Sequence, residues 1–227
     1  MPLRSKPLTL TRREFTAALS LTALVAAAGA SPLGLIQSAF AQDVSVADLA
    51  QPSPLGDIVL GATNSPVTVV EYASMTCGHC AEFHKTVFPK LKSEYIDTNK
   101  IRFIFREFPL DIKAAAGSML ARCVGKDDPK KYHAVVDILV ASQNDWVLKD
   151  TSEQLRRIAK QAGMSDDAFN ACLSNQSMLD AMKKGQDFAF EKLKIDSTPT
   201  LFVNGTRLKG GATFEDFKKL IDPNLKS

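Results

Sequence analysis

Residues 67 to 80 read VTVVEYASMTCGHC, and this junction constrains the fold more than any other part of the chain. Val67 to Ser74 is rich in β-branched and aromatic residues and follows Pro66, so it reads as a buried strand. Cys77 and Cys80 come next, separated by Gly78 and His79. Phe83, Val87 and Leu91 then recur every four residues, which is helical spacing, and Pro89 is expected to kink that helix. A strand therefore runs into the cysteine pair and a helix runs out of it. Cys77 is expected at the helix N-terminus and Cys80 one turn deeper.

The rest of the chain arranges itself around this unit. Residues 43 to 66 are rich in proline and glycine and read as loop, with room for one short strand near Ile58 to Leu60. IRFIFREF, 101 to 108, is a second strand, stopped by Pro109. From about 111 to 193 the period is helical, with stops at Gly125 and Gly163 and caps at Asp128-Pro129, Asp150 and Ser165. TLFV, Asn204-Gly205 and TRLK then form a strand–turn–strand, and Thr213 opens a last helix bearing Phe214, Phe217 and Ile221. The order is β, α, β, a helical block, then β, β, α.

The first 41 residues differ from the remainder. Arg4, Lys6, Arg12 and Arg13 precede a stretch, residues 15 to 41, with no charged side chain, and Ala39 and Ala41 supply an A-x-A pattern. This is the pattern of an export signal cleaved near Ala41. Thr11-Arg12-Arg13 with Phe15 resembles a twin-arginine signal, beside the alternative of an ordinary secretory one. Gly29, Pro32 and Gly34 interrupt the uncharged run, which argues against a spanning anchor. The chain has 227 residues and a net charge of +3. Removing the signal takes away four positive charges and one negative, leaving a nearly neutral mature chain of about 186 residues. Charge therefore points to no nucleic-acid or anionic-membrane partner. That length suits one domain whose core does not need disulfides as its main support.

Four cysteines invite three pairings, and spacing favours Cys77 with Cys80, leaving Cys123 with Cys172. In an oxidising compartment the second pair would be a structural bridge; two buried free thiols are the alternative. The first pair allows three readings. Zinc wants four ligands, and here one C-x-x-C and His84, a helical turn beyond Cys80, supply three. A staple closing so short a loop would stabilise little. A redox pair fits the placement: unpaired N–H groups and the helix dipole stabilise a Cys77 thiolate, His79 can add positive charge, and Cys80 becomes the buried resolving thiol. A stabilised thiolate leaves readily, which makes the disulfide an oxidant.

PVTVVEYASMTCGHC, IRFIFREFPL and STPTLFVNG, with the helical block between the last two, resemble the DsbA family of exported thiol:disulfide oxidoreductases. The resemblance covers nearly all of the mature chain and implies an α/β class, a thioredoxin fold with an inserted all-helical domain. Its expected divisions are residues 1–41 (signal), 42–66 (N-terminal extension), 67–110 with 194–227 (the split thioredoxin-like domain) and 111–193 (helical insertion). It implies that Pro199 is a cis-proline facing the cysteine pair, that Thr198 before it tunes and binds, and that Glu71 is the acid beneath the buried cysteine, able to move protons during exchange. It also implies no organic cofactor, substrates that are reduced or misoxidised exported proteins, a monomer in the periplasm, and reoxidation by a quinone-linked membrane protein. Gly78 departs from the Cys-Pro-His-Cys of the best-known oxidases, and Cys-Gly-His-Cys looks like the secretory-pathway isomerases of eukaryotes. An isomerase or reductase, or a chaperone-like module that binds unfolded chains, are the rival functions. Bacterial isomerases of this type carry a separate N-terminal dimerisation domain, and residues 42–66 are too few to build one.

The remaining signals are weaker. His84 and His133 are expected at helix surfaces or core edges, and Met178 and Met182 in core or groove lining. No HExxH or GxSxG pattern occurs, so protease and serine-hydrolase readings have no support.

Overall fold

The computed structural model describes residues 44–126, 128–208 and 211–225. The expected export signal lies outside them. Strands β1 (Val59–Gly61), β2 (Thr68–Ala73), β3 (Arg102–Glu107), β4 (Thr200–Val203) and β5 (Thr206–Leu208) form one mixed sheet in the order β1-β3-β2-β4-β5. β2 pairs parallel with β3 and antiparallel with β4, so Val70 lies beside Ile104 on one side and Phe202 on the other. Both faces of β2 are covered, which is why its sequence is almost continuously apolar rather than alternating. The β4–β5 turn places Asn204 and Gly205 at φ 48° and 90°, the left-handed pair that a two-residue hairpin requires.

The pleat sends residues of β2 to opposite faces. Val69, Ala73, Phe103, Phe105, Leu201 and Val203 meet the main core. Helices α2 (Gly78–Thr86), α3 (Phe88–Leu91), α4 (Ile112–Gly125), α5 (Pro129–Ala141) and α10 (Phe214–Leu225) all contribute to that core. On the other face Val70, Tyr72, Ile104 and Phe202 meet Leu49 and Ala189. These belong to α1 (Val46–Ala50) and α9 (Gln176–Glu191). Between α5 and α9 run α6 (Gln143–Val147), α7 (Thr151–Gln161) and α8 (Asp166–Leu173). This is the thioredoxin fold, an α/β structure, interrupted by helices.

The helix ends follow the expected chemistry. Asp128 accepts from the N–H groups of Lys130 and Lys131, with Pro129 at the first helical position. Asp150, Ser165 and Asn175 cap α7, α8 and α9 in the same way. Each such cap contributes about 1 kcal/mol. Pro89 breaks its helix, and the break falls two residues earlier, at Val87, because proline has no N–H to donate to the carbonyl four residues back and its ring crowds that carbonyl. The chain then leaves through a wide turn at Lys92–Ile96.

Two corrections concern the extension and a histidine. The segment expected to be loop with one short strand contains β1 and also α1, started by Ser45, whose Oγ accepts from Asp48 N–H. Only Leu49 of that helix is buried, so five residues carried no readable period. Buried arginines tie the extension down. Arg106 holds both Asp57 carboxylate oxygens, at 3.0 and 2.7 Å, and Arg122 donates to the carbonyls of Leu55 and Gly56 while pairing with Glu107 at 2.6 Å. His133, expected at a helix surface or core edge, is 3% exposed and lies inside the core. It packs against the rings of Phe103 and Tyr132. Met182 is buried beside Met119 and Cys172, with Met178 against the same cluster.

Cys123 of α4 and Cys172 of α8 are joined by a disulfide that spans 49 residues of sequence. A loop of that length corresponds to about 4 kcal/mol in the chain-entropy account. Replacing both cysteines by alanine is expected to lower the unfolding free energy by about 2–4 kcal/mol in a denaturant titration; a change under about 0.5 kcal/mol would contradict the structural role.

Burial pushes the His133 imidazole down to about 4, with Asp137 opposing the shift. The folded state binds this proton less readily than the unfolded chain, so stability is complete above about pH 6.5 and falls as pH drops toward 4. The loss from this one group approaches about 3 kcal/mol. In urea titrations His133→Leu should flatten the decline between pH 6.5 and pH 4; an unchanged slope would contradict it.

Candidate functional site: a cysteine pair at a helix N-terminus

β2 ends at Ala73, and the chain turns once before α2 begins. Ser74 organises that turn. Its carbonyl accepts from Cys77 N–H, and its hydroxyl accepts from the N–H groups of Thr76 and Leu110. Thr76 donates to Asp111, the residue that also caps α4. The turn is thereby bonded to the start of the helical block. Gly117 of α4 allows a close approach, since a Cβ there would meet Trp146 at 3.3 Å and Met75 at 3.5 Å.

Cys77 is itself the N-cap of α2, and its sulfur accepts from Cys80 N–H at 3.4 Å. A sulfur thus occupies the place usually held by a serine or aspartate oxygen. The first N–H groups of the helix would otherwise lack partners, and they stabilise negative charge there. The Cys77 thiol is held down at about 5, chiefly by a hydrogen bond from the Cys80 thiol. Burial opposes the shift, while Thr198 and the N–H groups of Cys80 and His79 support it. The Cys80 thiol is pushed far up, first by its hydrogen bond to Cys77, then by burial and the charge of Glu71. Cys77 retains 8% exposure and Cys80 none. The Cys77 sulfur, which keeps slight exposure, is disposed to be a thiolate, and the Cys80 sulfur is fully buried and disposed to stay a thiol.

The remaining expected residues fall at different distances from this pair. The Thr198–Pro199 bond is cis, and the Thr198 carbonyl lies 3.3 Å from the Cys77 sulfur, which donates to it when protonated. His79 is exposed on α2, and its backbone N–H rather than its ring is what supports the Cys77 sulfur. Gly78 has open space around it. Glu71 points into the core with no exposure, between Phe105 and Leu201 in the sheet register. Cys123 and Cys172 lie apart from the pair, in the α4–α8 bridge. Next to the pair runs a groove of about 990 Å³, lined by His79, Phe83, Thr198, Pro199, Leu208 and Phe214.

Three residues make contacts near the pair that local sequence does not show. His84, considered above as a zinc ligand beside the cysteines or a residue at a helix surface or core edge, turns its Nε2 to Glu71 Oε2 at 2.9 Å, with its side chain 6% exposed. Its spacing from Cys80 was visible, but its partner sits on a strand 13 residues earlier. Asp137 of α5 stands on the other side of the same ring. Gln143 of α6 donates its side-chain amide to the carbonyls of both Met75 and Cys77, each at 2.9 Å. No local pattern marks a glutamine that reaches the active turn from 66 residues away.

Known proteins resemble this arrangement. A family model described as Thioredoxin matches residues 53–223. The disulfide bond formation protein D of Bacillus subtilis is 30% identical over 182 residues, covering 78% of this chain and 80% of that one. A Rickettsia bellii chain named protein-disulfide oxidoreductase is 38% identical over 152 residues, 66% of this chain; the match spans 58% of the relative's length. The crystal structure of Wolbachia pipientis alpha-DsbA1 matches with a TM-score of 0.73 at 32% identity, covering 80% of this chain and 96% of that one. Oxidised BdbD from Bacillus subtilis matches with a TM-score of 0.68 at 28% identity, covering 78% and 97%. On these matches the chain belongs to the thioredoxin family and, within it, to the DsbA-like disulfide oxidoreductases.

Proposed function

We propose that this protein is a periplasmic disulfide donor for exported proteins. The observation that carries the reading is the difference between the two sulfurs: Cys77 caps the helix, keeps slight exposure and has its thiol held down, while Cys80 is fully buried and has its thiol pushed up. In the oxidised protein a substrate thiolate attacks the Cys77 sulfur. The Cys77–Cys80 bond breaks, and Cys80 leaves with the electron pair and takes a proton. A second substrate thiol then loses its proton and attacks the substrate sulfur of the mixed disulfide, and Cys77 leaves as a thiolate. The substrate gains a disulfide and the protein is left as a dithiol. An extended substrate segment would lie in the groove beside Thr198 and Pro199, by strand addition.

No metal or organic cofactor enters this scheme, because the cysteines carry the electrons. Turnover needs an acceptor that reoxidises the pair, and family resemblance assigns this to a quinone-linked membrane protein. The monomeric state is supported by the extension, which Arg106 and Arg122 bind to its own sheet and helices rather than leaving it for a partner. Export rests on the sequence pattern of residues 1–41.

Gly78 favours a second reading, an isomerase or reductase kept reduced by a membrane donor. Proline at the first helical position would stiffen the turn, and glycine there loosens it, which would make the disulfide a weaker oxidant. The groove beside the cysteines equally suits a chaperone-like module. With reduced, unfolded ribonuclease as substrate, Cys77→Ser should lower the initial rate of oxidation on the order of 100-fold or more. A variant that still oxidises the substrate overturns the mechanism. Suppression of aggregation that survives loss of both cysteines would favour the chaperone reading instead.

The thiolate claim has its own test. Alkylation of Cys77 in the reduced protein should follow a single ionisation with a midpoint at about 5. A midpoint near the ordinary thiol value of about 8.5 would contradict the stabilised thiolate.

A further inference from the structure

Every exchange cycle changes the protonation of Cys80, yet Cys80 has no contact with solvent. A proton must therefore cross the core. Glu71 lies fully buried beneath the pair, and its charge acts on the Cys80 thiol. Its Oε2 meets His84 Nε2 at 2.9 Å, while its Oε1 is buried without a hydrogen-bond partner among the described residues. The other nitrogen of the same ring, Nδ1, is 3.7 Å from Asp137 Oδ1, within ion-pair reach though beyond a direct hydrogen bond. The Asp137 side chain is 44% exposed. Between α2, α3 and α5 a cavity of about 560 Å³ is lined by His84, Asp137, Ala81, Phe88 and Val140. The three side chains thus step from a closed core to water.

We propose that His84 and Asp137 carry protons between solvent and Glu71, the acid that family resemblance already gives the part of moving protons to and from the buried Cys80. The proposal rests on the exchange reading above. A structural ion pair needs one carboxylate. Here an imidazole faces a buried carboxylate through one nitrogen and an exposed carboxylate through the other, so it can take a proton on one side and release one on the other. In reoxidation, with Cys77 in a mixed disulfide with the partner, the Cys80 thiol gives its proton to Glu71. Its sulfur attacks Cys77, and the partner sulfur leaves as a thiolate. Neutral Glu71 no longer holds the positive charge on His84, and His84 releases its Nδ1 proton toward Asp137 and water. One S–S bond forms, one breaks, and one proton reaches solvent. Substrate oxidation runs the route inward.

The surroundings of His84 are consistent with such poise. Burial disfavours its charge, but Glu71 from β2 and Asp137 from α5 outweigh burial and push it up to about 9. His133 of α5 also faces it and is lowered to about 4. Glu82 and Lys85 of α2, and Lys92 beyond α3, line the same cavity, and Phe88 and Phe105 pack against the ring. Among these groups Asp137 is the carboxylate that joins the ring to the surface.

The test isolates the step in which Cys80 must lose its proton. The reduced protein is converted to a Cys77 mixed disulfide with thionitrobenzoate. Release of the coloured thiolate is followed by stopped flow from about pH 5 to about pH 9, in light and heavy water. His84→Gln should slow release on the order of 10-fold or more at neutral pH, flatten the pH profile and change the solvent isotope effect. Asp137→Asn should slow it about 3-fold. Cys77 alkylation should stay within about 2-fold of wild type in both, a change too small to account for either. Wild-type release and profile in both variants, with slow release in Glu71→Gln, would overturn the outer route and leave Glu71 as the acid. Wild-type release in Glu71→Gln as well would overturn the part given to Glu71 too. Should His84→Gln fail to fold, Asp137→Asn decides, because that side chain is 44% exposed and the substitution keeps its size while removing its charge.

Discussion

A sulfur that caps a helix is the constraint around which this molecule is arranged. Because Cys77 accepts from the N–H of Cys80, the same bond that starts α2 also stabilises the thiolate. The cap works only if the strand before it ends at a fixed place. The register of β2 against β3 and β4, the Ser74 hub and the Asp111 contact all serve that end. Gln143 adds two further bonds from the helical block. The sulfur is therefore set on a strand end and a helix start that hydrogen bonds from two other elements hold in place.

Beneath it lies a feature that stability alone would not select. A glutamate at the centre of the central strand, with no exposure, costs several kcal/mol unless it is paired. The fold answers with His84, and the pair is packed among Phe83, Phe88 and Phe105. Such local departures from good packing practice concentrate at functional sites. Here the departure sits by Cys80, the thiol that the proposed exchange must deprotonate, and its charge acts on that thiol.

The sequence carried much of this, and the reasons for the gaps are physical. VTVVEYAS, the C-x-x-C and the Asn-Gly hairpin are local signals, readable because propensity, turn chemistry and burial agree at each. The helix caps at Asp128, Asp150 and Ser165 were legible for the same reason. The five-residue α1 was not, since it is too short to show a period and is held by Leu49 alone. Glu71 could be placed beneath the cysteine only through family resemblance, because a lone acid in an apolar strand does not say which way it faces. His84, Asp137 and Gln143 matter through partners on other elements, 13 and 53 residues away for the two contacts of His84. Contacts of that kind exist only once the sheet and the helical block have come together.

The central claim is the direction of electron flow: the Cys77–Cys80 pair gives a disulfide away rather than receiving one. The most direct measurement is the redox state of these two cysteines inside living cells, trapped with acid, alkylated and read by peptide mass spectrometry. A disulfide donor is found mostly oxidised, with the dithiol accumulating when its reoxidising partner is removed. A pair found mostly reduced under normal growth would contradict the account and make the protein an isomerase or reductase.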